Sequence, residues 1–219
     1  GQFDADVCHG EGALVSANGD KYSGQWVAGC QTGSGEKLSF GRGCTMSPTF
    51  VDGKLDGPGC STRFENGSSF EGTFAGGVAV DGPGLYLTPK GDRYEGAFAQ
   101  GCKYHGPGKM TFADGSWYEG EWAAGKRHGA GYSELPNGSW YRGAFEGDQK
   151  SGEGTAQMVS GDEYTGVFDK GQRANGPGSI RFAASGDVYV GQFVKAEPSG
   201  DGKFTWAGSG DVYEGQWLS

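Results

Sequence analysis

Between Gly106 and Trp122 the chain alternates, breaks, and alternates again. Lys109, Met110, Thr111 and Phe112 lead to Asp114-Gly115, after which Trp117-Tyr118-Glu119-Gly120-Glu121-Trp122 resumes a period of two. Alternation of that period marks a strand with one dry and one wet face. Asp-Gly between two such runs supplies the positive φ of a tight turn, so the stretch predicts a β-hairpin. Tyr118, Gly120 and Trp122 then project from one face and Glu119 and Glu121 from the other. The glycine leaves a gap between the two rings, which a ring from the adjacent hairpin is expected to fill.

The same pattern recurs along the whole chain. Its first aromatic position falls at Tyr22, Met46, Phe70, Tyr94, Tyr118, Tyr141, Tyr164, Tyr189 and Tyr213, at intervals of 23 to 25 residues. All but the Met46 copy continue as aromatic-x-Gly-x-aromatic, ending at Trp26, Phe74, Phe98, Trp122, Phe145, Phe168, Phe193 and Trp217. A Gly-x-Gly opens the following hairpin, as at Gly106, Gly129 and Gly152. A lone hairpin is marginal in water, so each copy must pair with the next. The expected fold is all-β: an elongated single-layer antiparallel meander of stacked β-hairpins, a twisted rod on the order of 85 Å long at ~4.8 Å per strand. Residues 1–219 read as one continuous array of about nine repeats. Gly1-Gln2-Phe3 fits the register of Gly24-Gln25-Trp26, so the array is expected to begin inside a partial repeat (1–9) and to be a fragment of a longer repeat protein. Ser47-Pro48 interrupts the second copy, where proline cannot donate a ladder hydrogen bond, and predicts a bulge or bend. Ala183-Ala184-Ser185 and Ala207-Gly208-Ser209 lengthen two later turns.

Composition fits a thin repeat better than a thick core. Glycine and proline, 46 and 8 of 219 residues, would suggest disorder without a period, but here the period is strict. No run of 18 apolar residues marks a membrane helix and no charged-then-apolar leader is present, so the chain reads as soluble and cytoplasmic. A formal charge of −9 weighs against nucleic acid and anionic lipid as partners. The local exception is Lys103, Lys109, Lys126, Arg127 and His128; its plainer reading is a solvated loop rim, its sharper one a lipid headgroup site. Five cysteines, an odd number, point to reduced thiols and no disulfide framework.

Catalytic signatures are missing: no nucleophile-base pair, dinucleotide loop or phosphate loop has its spacing here, and the chain is not expected to be an enzyme. Glu95, Glu119, Glu121 and Glu214 read as a solvated face. No cofactor is required. Cys102, His105 and His128 fall in related loop positions and form a candidate zinc set, but neighbouring repeats lie ~10 Å apart, so a tetrahedral ion would need ligands from a second chain.

Tyr118-Glu119-Gly120-Glu121-Trp122, with Gly-x-Gly seven residues beyond and a return every 23–25 residues, resembles the MORN repeat (membrane occupation and recognition nexus). The resemblance covers essentially the whole chain. It implies a single-layer sheet of hairpins and, for a chain that is repeat throughout, a likeness to the all-repeat cytoskeletal scaffold proteins of protozoan parasites. The implied function is a non-enzymatic scaffold that dimerises and helps organise membrane-associated cytoskeleton, peripheral to membranes. Direct phosphoinositide binding and an accessory role beside an enzyme are the alternatives. In such a sheet the residual apolar surface should attract a partner. The richest aromatic cluster lies at Tyr189, Phe193, Phe204, Trp206, Tyr213 and Trp217, which predicts an isologous homodimer there, with cytoskeletal or membrane-associated proteins as further partners.

Overall fold

A computed structural model describes residues 1–4, 6–17, 19, 21–39, 44–46, 49–64, 66–99 and 103–218. Among them the protein is all-β, with 22 strands, no helix, and antiparallel pairing throughout. The chain divides into two compact units, Gly1–Lys103 and Tyr104–Ser219.

In the first unit one sheet of seven strands runs from Gln2–Asp4 to Lys54–Leu55. Gly57–Arg63, Ser69–Ala75, Val78–Ala79, Gly82–Leu87 and Arg93–Ala99 follow. The long strand Cys30–Ser39 pairs with both Cys44–Met46 and Thr49–Val51. The bulge expected at Ser47-Pro48 lies outside the described residues; the pairs on either side, Lys37 with Met46 and Ser34 with Thr49, keep a single register. Cys8, Cys30 and Cys60 are free thiols, Cys60 fully buried.

The second unit is more regular. Its strands, from Lys103–Thr111 through Trp117–Ala123 and Lys126–Glu134 to Glu197–Thr205 and Val212–Trp217, each pair antiparallel with the next in chain order. One row of glycines crosses all of them in register: Gly108, Gly120, Gly131, Gly143, Gly154, Gly166, Gly178, Gly191, Gly202 and Gly215.

Two kinds of turn alternate, and they differ from the sequence expectation. Asp114-Gly115 lies in a wider loop, in which Phe112 N–H donates to Ser116 O and Gly115 N–H to Phe112 O. Asp114 closes it by accepting from Ser116 N–H (2.8 Å) and Oγ (2.6 Å). The tight turn instead joins one hairpin to the next. Ala123 pairs with Lys126 across Ala124-Gly125, whose φ values of +50° and +82° are the pair a type I′ turn requires. Beyond it Gly129 (φ +58°) and Ala130 bulge out of the ladder, since Glu121 pairs with His128 but Gly120 with Gly131. The lengthened turn at Ala183-Ala184-Ser185 shows as a Phe182–Asp187 closure, one residue wider than Phe112–Ser116.

The core sits on the ring face. Tyr94, Tyr118, Tyr141 and Tyr189 have no exposed surface, and their second-position partners Phe98, Trp122, Phe145 and Phe193 are 1–5% exposed. The gap beside each ring is filled from within its own strand. Tyr118 leans over Gly120, where an added Cβ would stand 2.5 Å from its Oη, and reaches Gly131 on the next strand. The neighbouring hairpin contributes the ring that then packs against this tyrosine. Three first-position rings are each in edge contact with two others: Tyr118 with Trp122 (5.0 Å) and Phe145 (4.9 Å), Tyr141 with Phe145 (5.1 Å) and Phe168 (4.8 Å), and Tyr189 with Phe193 (5.2 Å) and Trp217 (5.0 Å). Such contacts contribute about 0.5–1.5 kcal/mol beyond area burial.

A methyl at Gly120 would also lie 2.6 Å from Ala130 O and from Gly131 Cα, which are backbone and cannot yield. Gly120→Ala is therefore expected to lower stability by about 1–3 kcal/mol in chemical denaturation of the full chain. Gly208→Ala, with open space around it, should stay within about 0.5 kcal/mol of the parent.

Candidate functional site

Two faces are available in the second unit, and register assigns every strand residue to one of them. Glu119 and Glu121 are exposed on the outward face, as their alternation with the rings requires. That face also holds a groove of about 430 Å³ lined by Thr165, Val167, Pro177, Ser179, Val190 and Gln192, floored by Gly154, Gly166, Gly178 and Gly191.

On the ring face, the tyrosine hydroxyls are tied down locally. Tyr118 Oη donates to Glu121 O (2.9 Å), Tyr141 Oη to Ala144 O (3.0 Å) and Tyr189 Oη to Gln192 O (3.0 Å). Tyr164 Oη is buried with no hydrogen-bond partner among the described residues. The register on that side is shifted, Gly166 pairing with Gly178 and Phe168 with Arg173, while Val167 pairs with Glu153 on the other side. Above the rings lie three cations. Arg127 stands over Tyr118 (5.7 Å) and Phe145 (5.2 Å), Lys150 over Tyr141 (4.9 Å) and Phe168 (6.0 Å), and Arg173 over Tyr164 (5.1 Å).

The cations expected to gather in one patch are divided between the faces. Lys109 is outward, 3.4 Å from Glu119 and 4.3 Å above the Trp117 ring. Arg127 is on the ring face, its Nε 3.3 Å from Asp148 Oδ1 and its guanidinium donating to Asp148 O at 2.6 Å. Lys126 is exposed beside the Ala124-Gly125 turn, and the side chain of Lys103 lies outside the described residues. Of the candidate zinc set, His105 and His128 are exposed, Cys102 lies outside the described residues, and no group of three or more His, Cys, Asp or Glu that could hold a metal occurs among the described ones. No described helix is long and apolar enough to cross a membrane.

The C-terminal aromatic cluster splits in two. Tyr189 and Phe193 are buried, and Trp217 packs on Tyr189 and on Phe204 (5.9 Å). Trp206 and Tyr213 are 43% and 44% exposed. Lys150 and Arg173 were missed by the sequence reading, although a signal exists: with Arg127 they recur every 23 residues, five positions after Trp122, Phe145 and Phe168.

Comparison with known families decides what these hairpins are. The MORN repeat profile matches residues 1–21, 22–38, 49–68, 94–117, 118–140, 141–163 and 189–210, more than half of the chain. The chain belongs to the MORN repeat family. In the MORN segment 118–140 the profile begins at Tyr118, the ring that covers the glycine row. No curated protein matches this chain. Among solved structures, it is similar to the SAS-4 (dCPAP) TCP domain of Drosophila melanogaster in complex with a proline-rich motif of Ana2 (dSTIL), at 13% identity over 94% of this chain and 90% of that one, with a TM-score of 0.39. It is likewise similar to a point mutant of the TCP10 domain of Danio rerio CPAP, at 13% identity over 94% and 99%, with a TM-score of 0.40.

The tyrosines of the MORN repeats make two measurable differences. Tyr118→Phe removes a made hydrogen bond and is expected to cost about 1 kcal/mol in denaturant unfolding, whereas Tyr164→Phe removes an unpartnered buried hydroxyl and should be neutral or stabilising. Burial, the largest cause, pushes Tyr118 and Tyr141 up to about 12 from 10.0. The folded protein therefore holds these protons more tightly than the unfolded chain. Stability is fully present below about pH 10 and is lost as pH climbs towards 12, an alkaline unfolding that circular dichroism melts between these values should record.

Proposed function

We propose that this MORN-repeat chain is a non-enzymatic scaffold that self-associates through its C-terminal rings and helps organise membrane-associated cytoskeletal structures. MORN repeats mark a protein-interaction or scaffold module, and the described surface supports that class of function. The observation that carries the reading is the unequal use of the aromatic residues. Nearly every ring from Tyr118 to Phe193 at the two repeat positions is consumed by packing, while Trp206 and Tyr213 remain more than two-fifths exposed. Exposed rings favour association with another copy, which covers them.

Phosphoinositide recognition is the weaker reading. Its cations Lys109 and Arg127 sit on opposite faces, each beside a carboxylate, and the net charge of −9 opposes an anionic surface.

Light scattering after size exclusion tests the self-association. The full chain is expected to run as a dimer, and the Trp206→Ser/Tyr213→Ser variant as a monomer with an unchanged far-ultraviolet spectrum. A monomeric parent, or a variant that keeps the dimer mass, would overturn the proposal.

A further inference from the structure

The acidic charge of the second unit's strands is sided. In the strands of Tyr104–Ser219, every described charged residue that register places with the rings is a cation: Arg127 opposite Trp122, Lys150 opposite Phe145 and Arg173 opposite Phe168. The carboxylates of the same strands, among them Glu119, Glu121, Glu153, Glu163 and Glu214, fall on the other face.

These three cations are not equally neutralised. Asp148, in the turn between Phe145 and Lys150, holds Arg127. At the matching turn position the next two repeats carry Gly171 and Ala196, which have no carboxylate, and the residues just before them, Lys170 and Lys195, are exposed and of the same sign as Lys150 and Arg173. Neither Lys150 nor Arg173 makes an ion pair among the described residues. Burial, followed by the nearby charge of Arg127, lowers the pKa of Lys150. A half-buried, unpaired cation beside a second cation gains most from an incoming anion, because the attraction is weakly screened there and relieves an existing repulsion.

We infer that the ring face around Lys150 and Arg173 docks an acidic polypeptide segment of a partner protein, whose carboxylates pair with these two cations. The inference rests on the interaction-scaffold reading and names the chemistry of one partner. Spacing and recess favour a peptide over a membrane. The cations lie two strands apart, about 10 Å, which matches carboxylates seven residues apart on a helix at about 1.5 Å per residue. They lie recessed against ring faces, half-buried, so a narrow chain reaches them and a flat headgroup layer does not.

The test uses the full chain and a fluorescein-labelled poly-glutamate of about 20 residues, followed by anisotropy at low and moderate salt. Binding is expected, weakening with salt, and falling at least about tenfold for Lys150→Gln/Arg173→Gln. Lys150→Arg should retain it. The outward pair Lys109→Gln/Lys203→Gln should change it by less than about twofold, which separates a built site from general attraction. No binding by the parent chain, or equal losses in the two double variants, would overturn the inference. So would Lys150- and Arg173-dependent binding of phosphoinositide vesicles in the absence of poly-glutamate binding, which would assign the cations to lipid. Molar mass from light scattering on the same samples reads self-association separately, so the dimer and the acidic partner fail independently.

Discussion

A tyrosine ring laid across two glycines is the contact on which the rest of this structure depends. Tyr118 covers Gly120 of its own strand and Gly131 of the next, and Tyr141 and Tyr189 repeat the arrangement over Gly143 and Gly154 and over Gly191 and Gly202. A single-layer sheet has no second layer to bury a ring, so the ring must lie down on its own backbone. Only glycine leaves room, because any Cβ in that row would stand within about 3 Å of ring or main-chain atoms. Once flat, each ring exposes an edge to the aromatic residue of the following repeat, and burial becomes a property of neighbouring repeats together.

Sidedness follows from the same contact. On the ring face, the positions opposite the second aromatic residue hold side chains that lie over a π-face. Cations suit that place, since the ring quadrupole attracts them, and Arg127, Lys150 and Arg173 occupy it. In the strands of Tyr104–Ser219 the charges on the ring face are therefore cations and the carboxylates lie on the other face, which the net charge of −9 alone would not reveal.

The strands and their dry face were legible because a period of two inside a period of 23–25 residues leaves little freedom in register. The tight turn was harder to place. Asp114-Gly115 carries the stronger turn signal, yet its aspartate serves an Asp-Ser closure, and the two-residue turn falls at Ala124-Gly125, where alanine gives no warning of φ +50°. That difference decided the site. Assigning Lys150 to a face from Phe145 means counting through a turn, and an error of one residue there inverts the face. The unpartnered hydroxyl of Tyr164 was similarly hidden, because its repeat keeps the same Tyr-x-Gly-x-Phe spacing as the repeats whose tyrosines are hydrogen-bonded.

A double-mutant cycle between Tyr141 and Gly154 tests the central contact most directly. The two residues touch across neighbouring strands, and Gly154 takes no positive φ of its own. If the glycine row exists to receive the tyrosines, Gly154→Ala should destabilise the parent chain clearly but cost little in a Tyr141→Ala background, a coupling on the order of 1–3 kcal/mol. Additive losses would contradict the account, since the glycine would then be required by the backbone alone and the ring would be incidental to it.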